Sequence, residues 1–136
     1  MSTAGVEWVV EAHGCDPAAL CDLVRLRALF GRMVEELALK PVAEPAWHAF
    51  GGAGGVTGFC LLAESHLACH TFPEYGSLCL NLFCCKPRPD WKFEENLARG
   101  FGACSVRVRR IERPYQTDER DCELPQLRRT DPVSLV

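Results

Sequence analysis

Along residues 6–12, VEWVVEA, apolar and polar positions alternate so that Val6, Trp8 and Val10 share a face, the period-2 mark of a half-buried strand. Asp16-Pro17 reads as a helix start, because the carboxylate can accept free N–H groups and proline is tolerated at the first helical position. From 18 to about 39 the period changes. Leu20, Leu23, Leu26, Phe30, Met33 and Leu37 recur at steps of three and four, Val24 and Val34 widen the stripe, and Arg25, Arg27, Arg32, Glu35 and Glu36 fall mostly off it. That spacing predicts one amphipathic helix, slightly weakened by Gly31. Residues 46–50 predict a short strand, and Gly51, Gly52, Gly54 and Gly55 a flexible joint. Strands are predicted at 56–64, at 67–72 after a break at Ser65-His66, and at 78–84, with Pro73-Glu74-Tyr75-Gly76 as a turn. Asp90 is predicted to cap a second helix over 91–99, which Gly100 and Gly102 end. The stretch 104–111, CSVRVRRI, alternates again as a last strand.

The order β-α-β-β-β-β-α-β predicts an α+β fold: a two-layer sandwich of one antiparallel sheet with both helices on one face. The other face is then open to solvent or to a second subunit. One domain is expected over 1–112. From Arg113 the chain is charged, proline-bearing and aperiodic, so 113–136 is expected to be a C-terminal tail.

Composition narrows the function. A net charge of −3 without a polybasic run argues against a nucleic-acid or acidic-membrane binder. No apolar stretch approaches the ~20 residues that span a bilayer. The N-terminus lacks a basic start followed by an apolar run, so no export signal is expected and the cytoplasm is the expected location. Nine cysteines, an odd number, do not suggest a disulfide framework, and none has C-x-x-C spacing, so no metal is expected. Most sit in apolar runs, where a thiol behaves as a small hydrophobe.

The chemistry gathers in 61–85, LLAESHLACHTFPEYGSLCLNLFCC. Ser65, between Glu64 and His66, could be a plain turn residue. It could be the nucleophile of a Ser-His-Asp triad, although no G-x-S-x-G elbow surrounds it. Or its hydroxyl could attack the Glu64 carbonyl carbon and break its own backbone, which requires strain and a stabilised oxygen anion. His70 has a side chain whose pKa suits proton transfer near neutrality. Cys84 and Cys85 should point to opposite sheet faces, so only one of them can serve a site there.

Glu64-Ser65-His66, His70-Thr71, Pro73-Glu74-Tyr75-Gly76, the strand ending Leu82-Phe83-Cys84-Cys85 and the lead-in Gly54-Gly55-Val56-Thr57-Gly58 resemble the prokaryotic S-adenosylmethionine decarboxylase proenzymes over roughly residues 6–110. The resemblance implies the same two-layer sandwich, with dimerisation that builds the active sites. It implies self-cleavage between Glu64 and Ser65 into chains 1–64 and 65–136. Ser65 becomes a covalent pyruvoyl group, the only cofactor, which forms a Schiff base with the substrate amine. By motif His70 moves the proton in processing, Thr57 supports the carbonyl oxygen, and Cys85 reprotonates the substrate carbon; His66 has a weaker role. Phe50, Phe72 and Glu74 match the adenine-sandwiching aromatics and the ribose-binding glutamate. The chain departs from the pattern where Phe72 replaces a usual tryptophan, where Phe50 is reached across a one-residue insertion, and where Asn81 replaces a common aspartate. The activity implied is conversion of S-adenosylmethionine to its decarboxylated form and CO₂ for spermidine synthesis. Two other readings stand beside it: the same fold and cofactor acting on arginine or ornithine, and an α+β interaction protein that never cleaves.

Overall fold

The computed structural model describes residues 4–122. Six strands form one antiparallel sheet in the order β2-β3-β4-β5-β1-β6. They are β1 (Ala4–His13), β2 (Ala46–Ala49), β3 (Val56–Leu62), β4 (Ser65–Phe72), β5 (Ser77–Cys84) and β6 (Ser105–Pro114). The helices are α1 (Pro17–Leu20), α2 (Leu23–Glu36) and α3 (Phe93–Phe101). The core lies between the helices and one sheet face. Trp8, Val10, Leu67, Leu78, Leu80 and Leu82 of the sheet are buried with Leu20, Leu26, Phe30, Met33, Leu97 and Phe101 of the helices. The opposite face, carrying Glu7, Val9, Glu11, Phe59, Leu61, His66, His70, Phe72, Asn81 and Phe83, has no helix over it among the described residues. The expected two-layer α+β sandwich is therefore the architecture observed.

Differences from expectation have local causes. The helix predicted over 18–39 is two, because the Asp22 carboxylate accepts from the N–H groups of Val24 (3.0 Å) and Arg25 (3.3 Å) and starts a new helix there. Val24 does not join the apolar stripe; it is exposed, and Leu29 is buried instead. The helix ends where Ala38 turns left-handed at φ 51°. Asp90 caps nothing. Its carboxylate accepts from the Trp8 indole at 3.2 Å, and α3 begins after Lys92 without a side-chain cap. β6 runs on to Pro114, paired along the whole of β1, so the expected tail contributes its first two residues to the sheet. Residues 123–136 of that tail lie outside the described residues.

The break predicted at Ser65-His66 is absent. β3 and β4 form a tight hairpin whose last pair is Leu62↔Ser65, with Ala63 and Glu64 as the turn. Its other end is pinned by Thr71, which is buried. The Thr71 hydroxyl donates to the Leu20 carbonyl (2.8 Å) and accepts from the Val56 N–H (2.8 Å), joining β4 to α1 and to the start of β3. Only a glycine fits beside it at position 55, where a Cβ would lie 2.0 Å from the Thr71 carbonyl oxygen. Thr71→Val keeps the volume but strands a buried donor and a buried acceptor. A loss of about 2–4 kcal/mol is expected, read as a melting temperature lower by roughly 10 °C. An unchanged melting curve would show that this hydroxyl ties nothing together.

Candidate active site

The residues expected to form the site fall into two groups, at opposite ends of β4. The first surrounds the hairpin tip. Ser65 opens β4 in direct register with Cys84, so their side chains share the helix-facing side of the sheet. Burial raises the Cys84 thiol; the charge of Arg88 and hydrogen bonding by Ser65 and Arg88 pull the other way without overcoming it. It is thus Cys84, not Cys85, that meets the Ser65 hydroxyl in the uncut chain. Cys85 lies one residue past the end of β5, half-buried, and its carbonyl accepts from the Tyr115 hydroxyl at 2.8 Å. The Glu64 carboxylate is paired with Lys86 at 2.8 Å. That hydrogen bond, with the charges of Lys86, Lys40 and Arg88, holds it below the usual carboxylate range.

The second group lies at the far end of β4, around its open face. Thr57 and His70 are cross-strand partners whose Oγ1 and Nδ1 are 3.2 Å apart. His48 sits beside Thr57 in the same row and meets the Phe50 ring edge-on, with centroids 4.6 Å apart. Phe72 ends β4 on this face, and Glu74 follows in the 3-10 turn Pro73–Tyr75; both are solvent-exposed.

Strand geometry sets the separation. Because β4 is unbroken from Ser65, the odd interval to His70 puts the two side chains on opposite faces, roughly 16 Å apart along the strand, and Phe72 is roughly 23 Å away. One chain therefore does not bring Ser65 together with His70, Phe72 or Glu74.

Between the groups the open face carries a polar network that the sequence did not announce. His66 Nε2 and Asn81 Oδ1 are 2.9 Å apart, and the Asn81 amide donates to Glu7 at 2.6 Å. Burial would raise the Glu7 carboxyl, but Asn81 and Arg113 together hold it low. The His66 ring stacks on Phe59 and leans on Phe83. Arg88 and Lys86 were missed as site residues, since Lys86-Pro87-Arg88-Pro89 read only as the close of a strand. The available signal was register: Cys84 opposite Ser65 brings whatever follows it to the hairpin tip.

A helix-backed antiparallel sheet with a serine at the base of a hairpin turn defines the class as a two-layer α+β sandwich. A family model described as S-adenosylmethionine decarboxylase matches residues 6–114. The S-adenosylmethionine decarboxylase proenzyme of Carboxydothermus hydrogenoformans is 32% identical over 120 residues, covering 88% of this chain and 93% of that protein. Proenzyme 2 of Halalkalibacterium halodurans is 32% identical over 132 residues, covering 94% and 98%. The crystal structure of the adenosylmethionine decarboxylase from Aquifex aeolicus shares the fold, with a TM-score of 0.71 at 22% identity over 93% of this chain and all of that one. This chain belongs to the S-adenosylmethionine decarboxylase family.

Proposed function

We infer that the chain is a self-processing, cytoplasmic decarboxylase of S-adenosylmethionine, cut between Glu64 and Ser65, with a pyruvoyl group derived from Ser65. The observation that carries this reading is the family match over 6–114 together with the position of Glu64–Ser65 at an accessible hairpin tip. All nine cysteines are free, which supports a reducing compartment. The bond to be broken lies in the turn, just before the last ladder pair, so cutting it leaves the β4–β5 ladder intact to hold the new chain start. The pyruvoyl group supplies the electron sink that carboxylate loss requires.

The split between the two ends of β4 supports a homodimer. Two copies laid face to face about a two-fold axis, with their β4 strands antiparallel, bring the Ser65 end of each over the His70, Phe72 and Glu74 end of the other. The face available for this exposes apolar side chains: Phe59, Leu61, Phe72 and Ile111 are 38–51% exposed in the single chain. His70 of the other copy then approaches residue 65 from the side opposite its hydroxyl, suited to removing the α-proton. Thr57 stands with His70 and supports the carbonyl oxygen. Phe50 and Phe72 hold the adenine and Glu74 the ribose. Cys85 serves as the acid that reprotonates the substrate carbon, while Cys84 stays on the core side.

Carboxyl-labelled S-adenosylmethionine, arginine and ornithine, supplied separately, test the substrate by release of CO₂. Release from S-adenosylmethionine is expected. Release from an amino acid alone would overturn the substrate assignment. In the same assay Cys85→Ala should still be cut but lose turnover by ~10²–10⁴-fold, the usual worth of a positioned acid. If Cys84→Ala has that effect and Cys85→Ala does not, the acid is Cys84.

A further inference from the structure

The hairpin tip holds an unmet charge. Glu64 brings one carboxylate to a place where three cationic side chains, Lys40, Lys86 and Arg88, act on it. Lys86 is satisfied by the ion pair at 2.8 Å. Arg88 is met only in part: its guanidinium hydrogen-bonds the Cys84 thiol, but its Nε is the one buried side-chain nitrogen or oxygen without a hydrogen-bond partner among the described residues. It borders a small cleft shared with Lys40, Leu62, Glu64 and Ser65. A buried donor left unpaired is destabilising, and a guanidinium is built to take an anion through two parallel N–H groups. Among the described residues no carboxylate forms an ion pair with Arg88.

Self-cleavage supplies one. The Ser65 hydroxyl oxygen bonds to the Glu64 carbonyl carbon, and the carbonyl π pair moves onto oxygen as an anion. The anion collapses, the C–N bond breaks, and the hydroxyl proton ends on the freed Ser65 nitrogen, leaving an ester. A base removes the Ser65 α-proton, the Cβ–Oγ bond breaks, and the Glu64 acyl group departs as a carboxylate. The dehydroalanine left at 65 becomes an imine and takes up water, losing ammonia to give the keto group. Negative charge thus appears twice on oxygen bonded to the Glu64 carbonyl carbon, transiently as the oxyanion and permanently as the new C-terminus of the 1–64 chain.

We propose that Arg88 receives this charge, stabilising the oxyanion during the shift and then holding the new Glu64 carboxylate in place. The assignment rests on the self-processing reading above and adds to it a residue of this chain. It also gives the surplus of cations a purpose. After cutting, two carboxylates of Glu64, side chain and terminus, face Lys40, Lys86 and Arg88.

The test follows loss of the 136-residue chain by denaturing mass spectrometry after refolding from denaturant. Arg88→Gln should slow cleavage by ~10²-fold, the scale set by loss of one oxyanion donor. Arg88→Ala should be slow as well and should be accelerated by added methylguanidinium but not by methylammonium. The melting temperature of each variant, measured in a Ser65→Ala background that cannot cut, reports whether it is folded. Arg88→Gln cutting at the wild-type rate overturns the assignment alone. So does a folded, slow Arg88→Ala that methylguanidinium fails to accelerate, since that marks a structural role. A wild-type chain that stays whole overturns both this and the reading on which it rests.

Discussion

Ser65→Ala should leave a single chain of 136 residues, uncut however long it is incubated, and should release no CO₂ above background. The wild type should instead give pieces corresponding to 1–64 and 65–136, the second blocked to amino-terminal sequencing and reactive toward hydrazine or borohydride. Both losses follow from one atom. Without Oγ nothing attacks the Glu64 carbonyl, no ester forms, and no keto group is left to accept electrons. The fold should survive the change. Ser65 is only half-buried, the β4–β5 ladder is made by backbone groups, and alanine retains the Cβ that faces Cys84. An intact melting transition in an uncut chain would separate lost chemistry from lost structure. A Ser65→Ala chain that still falls into two pieces, or a wild type that stays whole, would remove the serine from its role.

Co-expression should rescue two dead variants, but in one direction only. Ser65→Ala lacks the nucleophile and His70→Ala the proposed base, so each alone should remain whole. In a mixed dimer the His70→Ala chain has its own Ser65 and finds an intact His70 on the other copy. With random pairing about half of the His70→Ala chains sit in mixed dimers, so about half should be cut. The Ser65→Ala chain should never be cut. The two products differ in mass, so one spectrum reads both. The expectation comes from the geometry of β4: an unbroken strand puts positions 65 and 70 on opposite faces and roughly 16 Å apart. No local adjustment brings them together within one chain. If co-expression leaves both variants whole, the histidine acts within its own subunit or not at all.

Much of this molecule was legible from periodicity. The alternation Val6, Trp8, Val10 and the run ending at Cys84 place residues on a core face without reference to anything distant, because side-chain direction in a strand has period two. The glycine at 102 ends its helix at φ 71°, as a left-handed cap should. The misreadings came where one side chain had two possible partners. Asp22 took the N–H groups of the next turn and split a helix whose apolar stripe ran on regardless. Asp90 took the Trp8 indole, eighty-two residues away in the chain, instead of the helix start beside it.

By itself the sequence determined the layers of this protein, the core face of most strands and the set of candidate reactive side chains, because each depends on residue type and on spacing within one element. Only the tertiary structure decided which of those side chains meet. Register between β4 and β5 set Cys84 rather than Cys85 against Ser65 and carried Arg88 to the hairpin tip. The continuity of β4 through Ser65 sent His70 to the other face. Such pairings depend on hydrogen bonding between strands distant in sequence, where a shift of one residue reverses every face.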